Sequence, residues 1–490
     1  MGGAAARRRG VCAVEGRVER MEEELMAEVV GESAGWVGPV QEYEKNEGSA
    51  GKRRIVFVGA SYKFVHKVLR DMLLVGGFDE CDLVLHDISE EPLKLVGDLL
   101  EKMIRQAGSK MTVVRTLDRE EALKGAGAVI LAITTGGREA DFRSFEVCAK
   151  YGIPVAVGDT LGPPALARNL RSVPVVVQIA KDVKRICPEA VILNFTNPMS
   201  VITGVMARET GLPVWGLCHS ADELFEYFGR VFGVKKSAVE MEVAGVNHQT
   251  FVTKLVVEGR DRTKDILEAT LASEAKLEDN LLETTEEDVR LQQDIFRILG
   301  CWPSTGDTHL AEFYEYFLTP RRREQLGLHV REMIPGRERL GPVEPHPIVR
   351  EWAYGDGPVG DMHLLTTEHA HKLLWSWFTG QAYTRGMNVL NEGEYVTGLP
   401  RTACVEVMVT VAGRKVSGPQ VTLPPAVHSL VQRWTTIHEL SIQAALHCDR
   451  DAARQALFLD PHVPDLYDIE PMLEDFITAL EPWLPAGWRE

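Results

Sequence analysis

The sequence predicts an α/β protein: a Rossmann-like doubly wound parallel sheet followed by a second, mostly helical α+β domain. Short apolar runs alternate with helical patterns between residues 55 and 217, which is typical of strands that a parallel sheet buries on both faces. After residue 248 this alternation gives way to long helical patterns. At 490 residues the chain exceeds what one core usually supports, so two domains are expected.

Composition and charge exclude several classes of function. The net charge of −17 argues against binding to nucleic acid or to an anionic membrane, because both need a basic face. The sequence has no apolar stretch of the roughly 18 residues that a membrane-spanning helix needs, and no apolar segment follows the arginines near the N-terminus, so export is not expected. The eight cysteines form no Cys-x-x-Cys pair, which favours reduced thiols in a cytoplasm.

Three regions are predicted along the chain. Residues 1–51 form an N-terminal extension, for which a disordered tail and an arm that wraps a second copy both stay open. Residues 52–217 form a dinucleotide-binding domain, and residues 218–490 form the metal-binding, substrate-binding and oligomerisation domain. Within the latter we expect an amphipathic helix from Glu278 to Leu299, mostly helix over 321–395, and an alternating strand from Val405 to Val411.

The first strong unit has the layout of a dinucleotide half-fold. The apolar run at 55–58 leads into Gly59, a helical pattern follows, and the next apolar run ends at Asp87. In such a half-fold the helix N-terminus faces the pyrophosphate and the acid binds the adenosine ribose hydroxyls. We therefore expect Gly59 and Asp87 to bind the cofactor, and the acid favours NAD over NADP.

The glycine fingerprint of this half-fold is incomplete. Ser61 and Phe64 stand where the full fingerprint has glycine, so Ser61 is expected to limit how closely the backbone approaches the pyrophosphate. Lys63 either offers its charge to the phosphates or is simply solvated. At the end of the fourth apolar run, Thr134 and the glycines after it either leave room for the nicotinamide ribose or form a plain turn.

A thiol and an imidazole end two further apolar segments, at Cys218 and His248. Residues at the carboxyl ends of strands in an open α/β sheet face the crevice where ligands bind. A thiolate and a neutral imidazole supply half of the coordination sphere of a borderline divalent metal, and two adjacent hydroxyls of a sugar can supply the rest. The alternative for Cys218 is a buried cysteine that packs as a small hydrophobic residue.

Three motifs together resemble glycoside hydrolase family 4, the NAD- and divalent-metal-dependent glycosidases. They are Asn197-Pro198-Met199, Cys218-His219-Ser220 and Gly245-Val246-Asn247-His248. The resemblance covers about residues 53–470 and implies a fold like that of lactate and malate dehydrogenases, with NAD and Mn²⁺ or another divalent metal as cofactors. It implies that Cys218 and His248 bind the metal, and that Asn197 and Asn247 bind the substrate.

Two other segments resemble the family. Residues 158–165 are similar to a run usually written Thr-x-Gly-Pro-Gly-Gly, which contacts the sugar and the nicotinamide, so Asp159 is expected at the substrate; Pro164 and Ala165 replace the paired glycines. The segment Thr305–His309 resembles the one that brings a base to the sugar ring. This implies Asp307 as the base with His309 as the alternative, while Asp307 is equally a candidate helix N-cap.

The resemblance implies a reaction that the usual pair of carboxylates does not perform. NAD⁺ takes a hydride from C3 of the sugar, and the new ketone acidifies the proton on C2. The metal stabilises the enediolate as a Lewis acid, a base removes the C2 proton, and the aglycone leaves from C1. Water then adds and the hydride returns. His219 is expected to protonate the leaving oxygen, since imidazole suits acid catalysis near neutrality.

Members with Cys-His-Ser resemble α-galactosidases and α-hexuronidases, so we expect an α-galactosidase-like glycosidase. An α-glucuronidase or α-galacturonidase of the same family is the first alternative. A NAD-dependent 2-hydroxy-acid dehydrogenase and a catalytically degenerate sugar or nucleotide sensor are the others. The expected partner is a small glycoside, and a homodimer or homotetramer is expected by analogy.

Overall fold

The computed structural model describes residues 45–279, 285–328, 330 and 347–489. Most of the predicted N-terminal extension, residues 1–44, lies outside the described residues. The last part of the extension belongs to the fold, because the backbone N–H groups of Asn46 and Ala50 donate to the carbonyls of Val75 and Gly77 at 2.9 and 2.8 Å.

The described strands alternate with helices in the first half of the chain and pair in hairpins in the second. They are β1 (Arg54–Val58), β2 (Asp82–His86), β3 (Thr112–Thr116), β4 (Ala128–Leu131), β5 (Val191–Asn194), β6 (Val214–Gly216), β7 (Val239–Val246), β8 (Gln249–Val257), β9 (Arg260–Asp261), β10 (Leu277–Asp279), β11 (Thr285–Glu287), β12 (Trp302–Pro303), β13 (Tyr383–Leu390), β14 (Cys404–Ala412) and β15 (Lys415–Ser417).

The helices bury apolar stripes against the sheet and against one another. They are α1 (Val65–Val75), α2 (Glu90–Ala107), α3 (Arg119–Leu123), α4 (Gly137–Lys150), α5 (Gly162–Ile186), α6 (Met199–Thr210), α7 (Ser220–Phe232), α8 (Ile266–Ala272), α9 (Arg290–Leu299), α10 (Asp307–Ala311), α11 (Pro320–Leu326), α12 (Pro347–Tyr354), α13 (Ala370–Thr379), α14 (Pro425–His447), α15 (Arg450–Leu459) and α16 (Ile469–Leu480).

The first six strands form a parallel sheet in the order β3-β2-β1-β4-β5-β6. This is the strand order of dinucleotide-binding sheets, in which the carboxyl ends of the central strands border the ligand crevice. The central strands are buried on both faces: β4 and β5 have no exposed residue. The predicted Rossmann-like α/β fold is confirmed.

The sheet continues past β6 with antiparallel strands. β13 pairs with β6 at Asn388 and Gly216, and β14, β7, β8 and β12 follow in that order. Counting β9 and β15, the part of the chain that the structure describes holds one sheet of thirteen strands. The predicted boundary after residue 217 falls between β6 and α7, and the division into two domains there stays a prediction.

Two predictions of secondary structure were wrong. The helix expected from Glu278 to Leu299 begins only at Arg290, because Leu277–Asp279 and Thr285–Glu287 pair as an antiparallel hairpin. The region 321–395 contains β13, a strand of eight residues, where helix was expected. The cause of the second error is partly tertiary, since β13 pairs not only with β14, the next strand in the sequence, but also with the distant strand β6.

None of the helices within the described ranges is long and apolar enough to cross a membrane. The cysteines in those ranges are all free thiols, at positions 81, 148, 187, 218, 301, 404 and 448.

Candidate active site

Gly59 turns the chain away from β1 where β4 also ends. Its φ is +98°, and a Cβ built on it would lie 2.2 Å from the carbonyl oxygen of Ala132. A side chain is excluded both by the left-handed backbone and by this contact. Gly59 therefore allows the ends of β1 and β4 to lie side by side.

Asp87 follows β2 and holds the turn after β1. Its Oδ2 accepts the backbone N–H of Ala60 at 2.8 Å, and its Oδ1 accepts the backbone N–H of Ser89 at 3.0 Å. The next residue, Ile88, is 91% exposed. Asp87 thus lies where the acid of a dinucleotide half-fold is needed.

The positions of the missing glycines are filled by side chains with local contacts. The Phe64 ring packs against Phe195 beyond β5, with the ring centroids 5.5 Å apart. The Ser61 hydroxyl accepts the backbone N–H of Lys63 at 3.3 Å, and Lys63 is exposed. The first turn before α1 is therefore built by side-chain contacts in place of glycine flexibility.

The segment after β4 contains one exposed threonine and one threonine whose hydroxyl is buried. Thr134 is exposed, whereas the hydroxyl of Thr135 is buried and lacks a hydrogen-bond partner among the described residues. The Thr135 carbonyl accepts from the Arg171 guanidinium at 2.8 Å. A buried, unsatisfied hydroxyl beside the fourth strand fits a ligand that binds at this edge, so Gly59, Asp87 and Thr135 together suit a dinucleotide.

Cys218 lies after β6 and is buried against two polar residues. Its sulfur is 3.4 Å from the hydroxyl of Ser220 and contacts the side-chain amide of Asn247. Both atoms of that amide are buried and find no nitrogen or oxygen partner within the described residues. Burial, followed by the nearby Glu406 carboxylate, raises the pKa of the Cys218 thiol, and a bound cation would favour the thiolate.

His248 stands in the two-residue turn between β7 and β8 with φ +65°, a conformation that is strained for a residue with a side chain. Three groups hold its backbone and ring. Its N–H donates to Glu406, its carbonyl accepts the hydroxyl of Thr305 at 3.3 Å, and its Nδ1 lies 3.3 Å from the hydroxyl of Thr160. The turn therefore presents an imidazole at a fixed position.

The Cys218 and His248 pair suits an open metal site. Burial and then the charge of His309 lower the pKa of His248 to about 3, so the imidazole is neutral, as a metal ligand must be. No set of three or more His, Cys, Asp or Glu side chains able to share an ion occurs in the described part of the chain. Cys218 and His248 stay the predicted pair of ligands, and a pair would leave coordination positions for substrate oxygens.

Asp159 joins the sugar-binding candidates to the metal-ligand candidates. Its Oδ2 accepts from the Asn197 amide at 2.9 Å, and its Oδ1 accepts the Thr160 hydroxyl at 2.8 Å. Burial by itself would raise the pKa of the Asp159 carboxyl, but the charge of Arg168 and the hydrogen bond from Asn197 hold it below its usual range. An ionised Asp159 therefore sets the position of Asn197.

Asp307 and His309 both lie on α10 and face different parts of the structure. One carboxylate oxygen of Asp307 accepts the backbone N–H of Leu291, in the first turn of α9, at 3.0 Å. The His309 ring packs edge to face against His248, with centroids 5.0 Å apart. His309 therefore borders the metal-ligand candidates, whereas one oxygen of Asp307 caps another helix.

His219 lies between two acidic side chains. Its Nδ1 is 3.8 Å from Glu368, and its Nε2 is 3.8 Å from Glu223. Burial raises the pKa of Glu368 from 4.5 to about 7. A carboxyl that titrates near neutrality beside an imidazole is suited to proton transfer.

Five residues around the site were not found by sequence reasoning. Arg385 donates to the carbonyls of Glu368 and Cys218 at 2.5 and 3.0 Å and binds the Asp222 carboxylate, so it fixes the two loops together. Glu406 had a detectable signal, because a carboxylate inside the apolar strand β14 is rarely buried without a role. The residues are Thr160, Glu312, Glu368, Arg385 and Glu406.

Comparisons with families of known proteins cover both halves of the chain. The family described as "Family 4 glycosyl hydrolase" matches residues 54–230. Its companion, described as "Family 4 glycosyl hydrolase C-terminal domain", matches residues 243–463. The two matches together include Asp159, Asn197, Cys218, His248 and Asp307, and they span well over half of the sequence.

Individual proteins show the same relationship. An α-galactosidase of Bacillus subtilis is 30% identical over 449 residues, which cover 88% of this chain and 99% of that relative. An α-galacturonidase of Thermoanaerobacterium saccharolyticum is 27% identical over 76% of this chain and 82% of its own length. Among solved structures, a 6-phospho-α-glucosidase from gut microorganisms, in complex with NAD and Mn²⁺, has a TM-score of 0.72 at 18% identity, covering 89% of this chain and 99% of its own.

Proposed function

The chain belongs to family 4 of the glycosyl hydrolases, and from this premise we propose that it is an NAD- and divalent-metal-dependent α-glycosidase of the α-galactosidase type. The observation that carries the proposal is one hydrogen-bonded cluster at the carboxyl edge of the sheet. In it, Asp159 binds Asn197 and Thr160, and Thr160 contacts His248. The cluster brings together residues that three separate motifs predict at a sugar and a metal.

The two cofactors have distinct places in this proposal. Gly59, Asp87, Thr134 and Thr135 would hold NAD, with Ser61 and Lys63 at the turn that faces its phosphates. Cys218 and His248 would hold a divalent metal such as Mn²⁺. NAD supplies reversible removal of a hydride, and the metal supplies Lewis-acid stabilisation of a sugar oxygen. A fold relative that binds NAD and Mn²⁺ supports this pairing.

The remaining steps use residues of the chain itself. Asn197 and Asn247 offer amide groups that both donate to and accept from sugar hydroxyls. His309, beside His248, is the group we assign to proton removal at C2, in preference to Asp307. His219, with Glu368 3.8 Å from its Nδ1, is assigned to protonate the oxygen of the leaving group.

The charges near the site favour a neutral galactoside over a uronide. The arginines that act on Asp159 and on the Cys218 loop already bind carboxylates: Arg168 binds Asp141, and Arg385 binds Asp222. The α-galacturonidase relative keeps a uronide as the second candidate. In that case the carboxylate of the uronide would bind to Lys67, whose positive charge acts on Glu368.

The test is hydrolysis of p-nitrophenyl α- and β-glycosides, including galactosides and galacturonides, with Mn²⁺, NAD⁺ and a reductant each omitted in turn. We expect cleavage of the α-galactoside that needs both cofactors and gives no net NADH. Stoichiometric NADH without hydrolysis would instead indicate a dehydrogenase, and activity that is indifferent to NAD⁺ would contradict the proposal.

The proposal also includes the oligomeric state of the protein and its cellular compartment. The free cysteines of the described residues support a reducing compartment, which is the cytoplasm. We propose a homodimer or homotetramer, and light scattering on the purified protein measures its mass in solution. A monomer that remains fully active at nanomolar concentration would contradict the oligomer.

A further inference from the structure

The hydroxyl of Thr160 contacts two groups that both bear on the metal site. It lies 2.8 Å from Oδ1 of Asp159 and 3.3 Å from Nδ1 of His248. Thr160 is 6% exposed and His248 is 4% exposed, so protein groups and not bulk water determine these bonds. A threonine hydroxyl has a single proton and can donate to one of its two neighbours.

The proton of Thr160 goes to Asp159. The carboxylate is an acceptor without a proton, and a hydrogen bond to an ionised acceptor is the stronger of the two choices. Its distance is also the shorter. The hydroxyl oxygen of Thr160 is then left as an acceptor, and the matching group on His248 is a protonated Nδ1.

This arrangement determines which ring nitrogen of His248 has a free lone pair. A neutral imidazole has one proton, so a proton on Nδ1 leaves Nε2 as the nitrogen that can bind a metal. Histidine ligands of metals usually donate their other N–H to a carboxylate or carbonyl, which fixes the ring. Here a hydroxyl stands between the imidazole and the carboxylate.

A second carboxylate, that of Glu312, holds the loop that contains Asp159 and Thr160. Glu312 accepts the backbone N–H groups of Ala156, Val157 and Gly158 at 2.7, 2.7 and 3.0 Å. These three residues directly precede Asp159. Glu312 lies three residues after His309, so it ties the loop to the segment that carries the proposed base.

We propose that Thr160 is a positioning residue that fixes His248 as the Nδ1–H tautomer, with Asp159 as its anchor and Glu312 holding the loop, so that Nε2 of His248 binds the metal. The inference rests on the proposed function, in which His248 is a metal ligand. Asp159 then acts through Thr160 and Asn197, with both of its carboxylate oxygens already bonded.

The direct test is nitrogen NMR of the full-length, metal-free protein labelled with ¹⁵N-histidine, with His248 assigned by loss of its signals in His248→Gln. We expect a proton on Nδ1 in the wild-type protein and in Thr160→Ser, which keeps the hydroxyl. In Thr160→Val, which is similar in shape, we expect the Nε2–H form to appear. A proton on Nε2 in the wild-type protein would overturn the inference without recourse to any variant.

The second readout is Mn²⁺ affinity, measured from the free-ion signal in electron paramagnetic resonance. Loss of a group that orients a ligand typically weakens metal binding about 10- to 100-fold, so we expect this for Thr160→Val and Glu312→Gln. Thr160→Ser should bind as the wild type does. The matched controls are Thr384→Val and Glu315→Gln, whose side chains are exposed and which should leave affinity unchanged.

The outcomes separate the inference from the proposed function. If Thr160→Val keeps both the tautomer and the Mn²⁺ affinity of the wild type, Thr160 does not position His248, and the assignment of the metal ligands is unaffected. If His248→Gln binds Mn²⁺ as tightly as the wild type, the assignment of His248 as a ligand fails, whatever the tautomer.

Discussion

The imidazole rings of His248 and His309 meet edge to face, with centroids 5.0 Å apart and planes at 84°. Asp307 lies two residues before His309, yet its Oδ1 accepts the N–H of Leu291 at 3.0 Å. The two base candidates therefore have separable contributions, one next to the metal-ligand candidates and one at the start of α9.

We expect His309→Gln to lower kcat by about 10²- to 10⁴-fold, the usual contribution of a general base, and to stop exchange of the C2 hydrogen with solvent. Asp307→Ala should lower the free energy of unfolding by about 1 kcal/mol through the lost cap and keep the exchange. Deuterium incorporation at C2 in D₂O measures the exchange, and urea denaturation measures the stability. Exchange that survives His309→Gln but not Asp307→Ala would restore Asp307 as the base.

The left-handed backbone of His248 predicts a conflict between stability and metal binding. At φ +65°, glycine is favoured over alanine by about 1 kcal/mol, so His248→Gly should be more stable than His248→Ala in the presence of a chelator. Both variants lose the imidazole and the contact with His309, so the difference between their free energies of unfolding reports the cost of the left-handed backbone alone. Both should lose Mn²⁺ binding. Equal stability in urea would mean that the turn relaxes when the ring is removed.

Gly59 offers a test of the cofactor edge. In Gly59→Ala the new methyl group would overlap the carbonyl oxygen of Ala132, so we expect about 3 kcal/mol of destabilisation and at least tenfold weaker NAD⁺ binding. Gly108→Ala is the matched control: its backbone is left-handed with φ +67° and no atom lies within 4 Å of the added Cβ, so it should cost about 1 kcal/mol without changing the affinity for NAD⁺. Calorimetric titration with NAD⁺ measures the affinities, and unchanged binding by Gly59→Ala would remove this turn from the cofactor site.

Glu368 predicts a pH dependence of stability. Burial raises the pKa of its carboxyl from 4.5 to about 7, so the folded protein holds this proton more tightly than the unfolded chain. The resulting stabilisation is complete below pH 4.5 and is lost as the pH rises through 7, by on the order of 3 kcal/mol at about 1.4 kcal/mol per pKa unit. Glu368→Gln should remove this part of the slope, while the part that comes from Glu406, whose pKa burial also raises to about 7, should stay.

The measurement is urea denaturation of the cofactor-free protein at several pH values between 4 and 8. Glu392→Gln, at an exposed position, serves as the control and should keep the slope of the wild-type protein. If Glu368→Gln and Glu392→Gln show the same slope, Glu368 is not the group that titrates in this window.

The sequence predicts the parallel half of the sheet well, because that half consists of strands and helices with clear local patterns. Buried parallel strands such as 55–58 and 191–194 appear as continuous apolar runs, and the right-handed connections of βαβ units limit how such strands can be arranged. β13 was missed because Gly386 and Arg385 interrupt its apolar pattern. Gly386 is needed where a Cβ would come within 2.8 Å of the Ala221 side chain, and Arg385 is buried by its bonds to two other loops.

The same distinction applies to the candidate site: local patterns predict some of its residues, and tertiary contacts determine the others. Asn197 and Cys218 follow the parallel strands β5 and β6, so their placement at one edge was predictable from the chain. His248 follows β7, which runs antiparallel to β6, so that rule does not predict its position. Thr160 and Glu312 were not predictable, because their partners lie 88 and 154 to 156 residues away in sequence. Side-chain bonds over such separations depend on how the loops pack, and no local pattern specifies that.

The antiparallel pairing of β13 with β6 through Asn388 and Gly216 has a consequence for dissecting the protein. A fragment that stops at residue 217 would leave β6 as a bare edge with unsatisfied peptide groups beside Val214 and Trp215, the kind of edge that recruits other chains and precipitates. Neither the nucleotide half nor the sugar half should therefore be expressed alone without supplying the missing neighbour strand in trans.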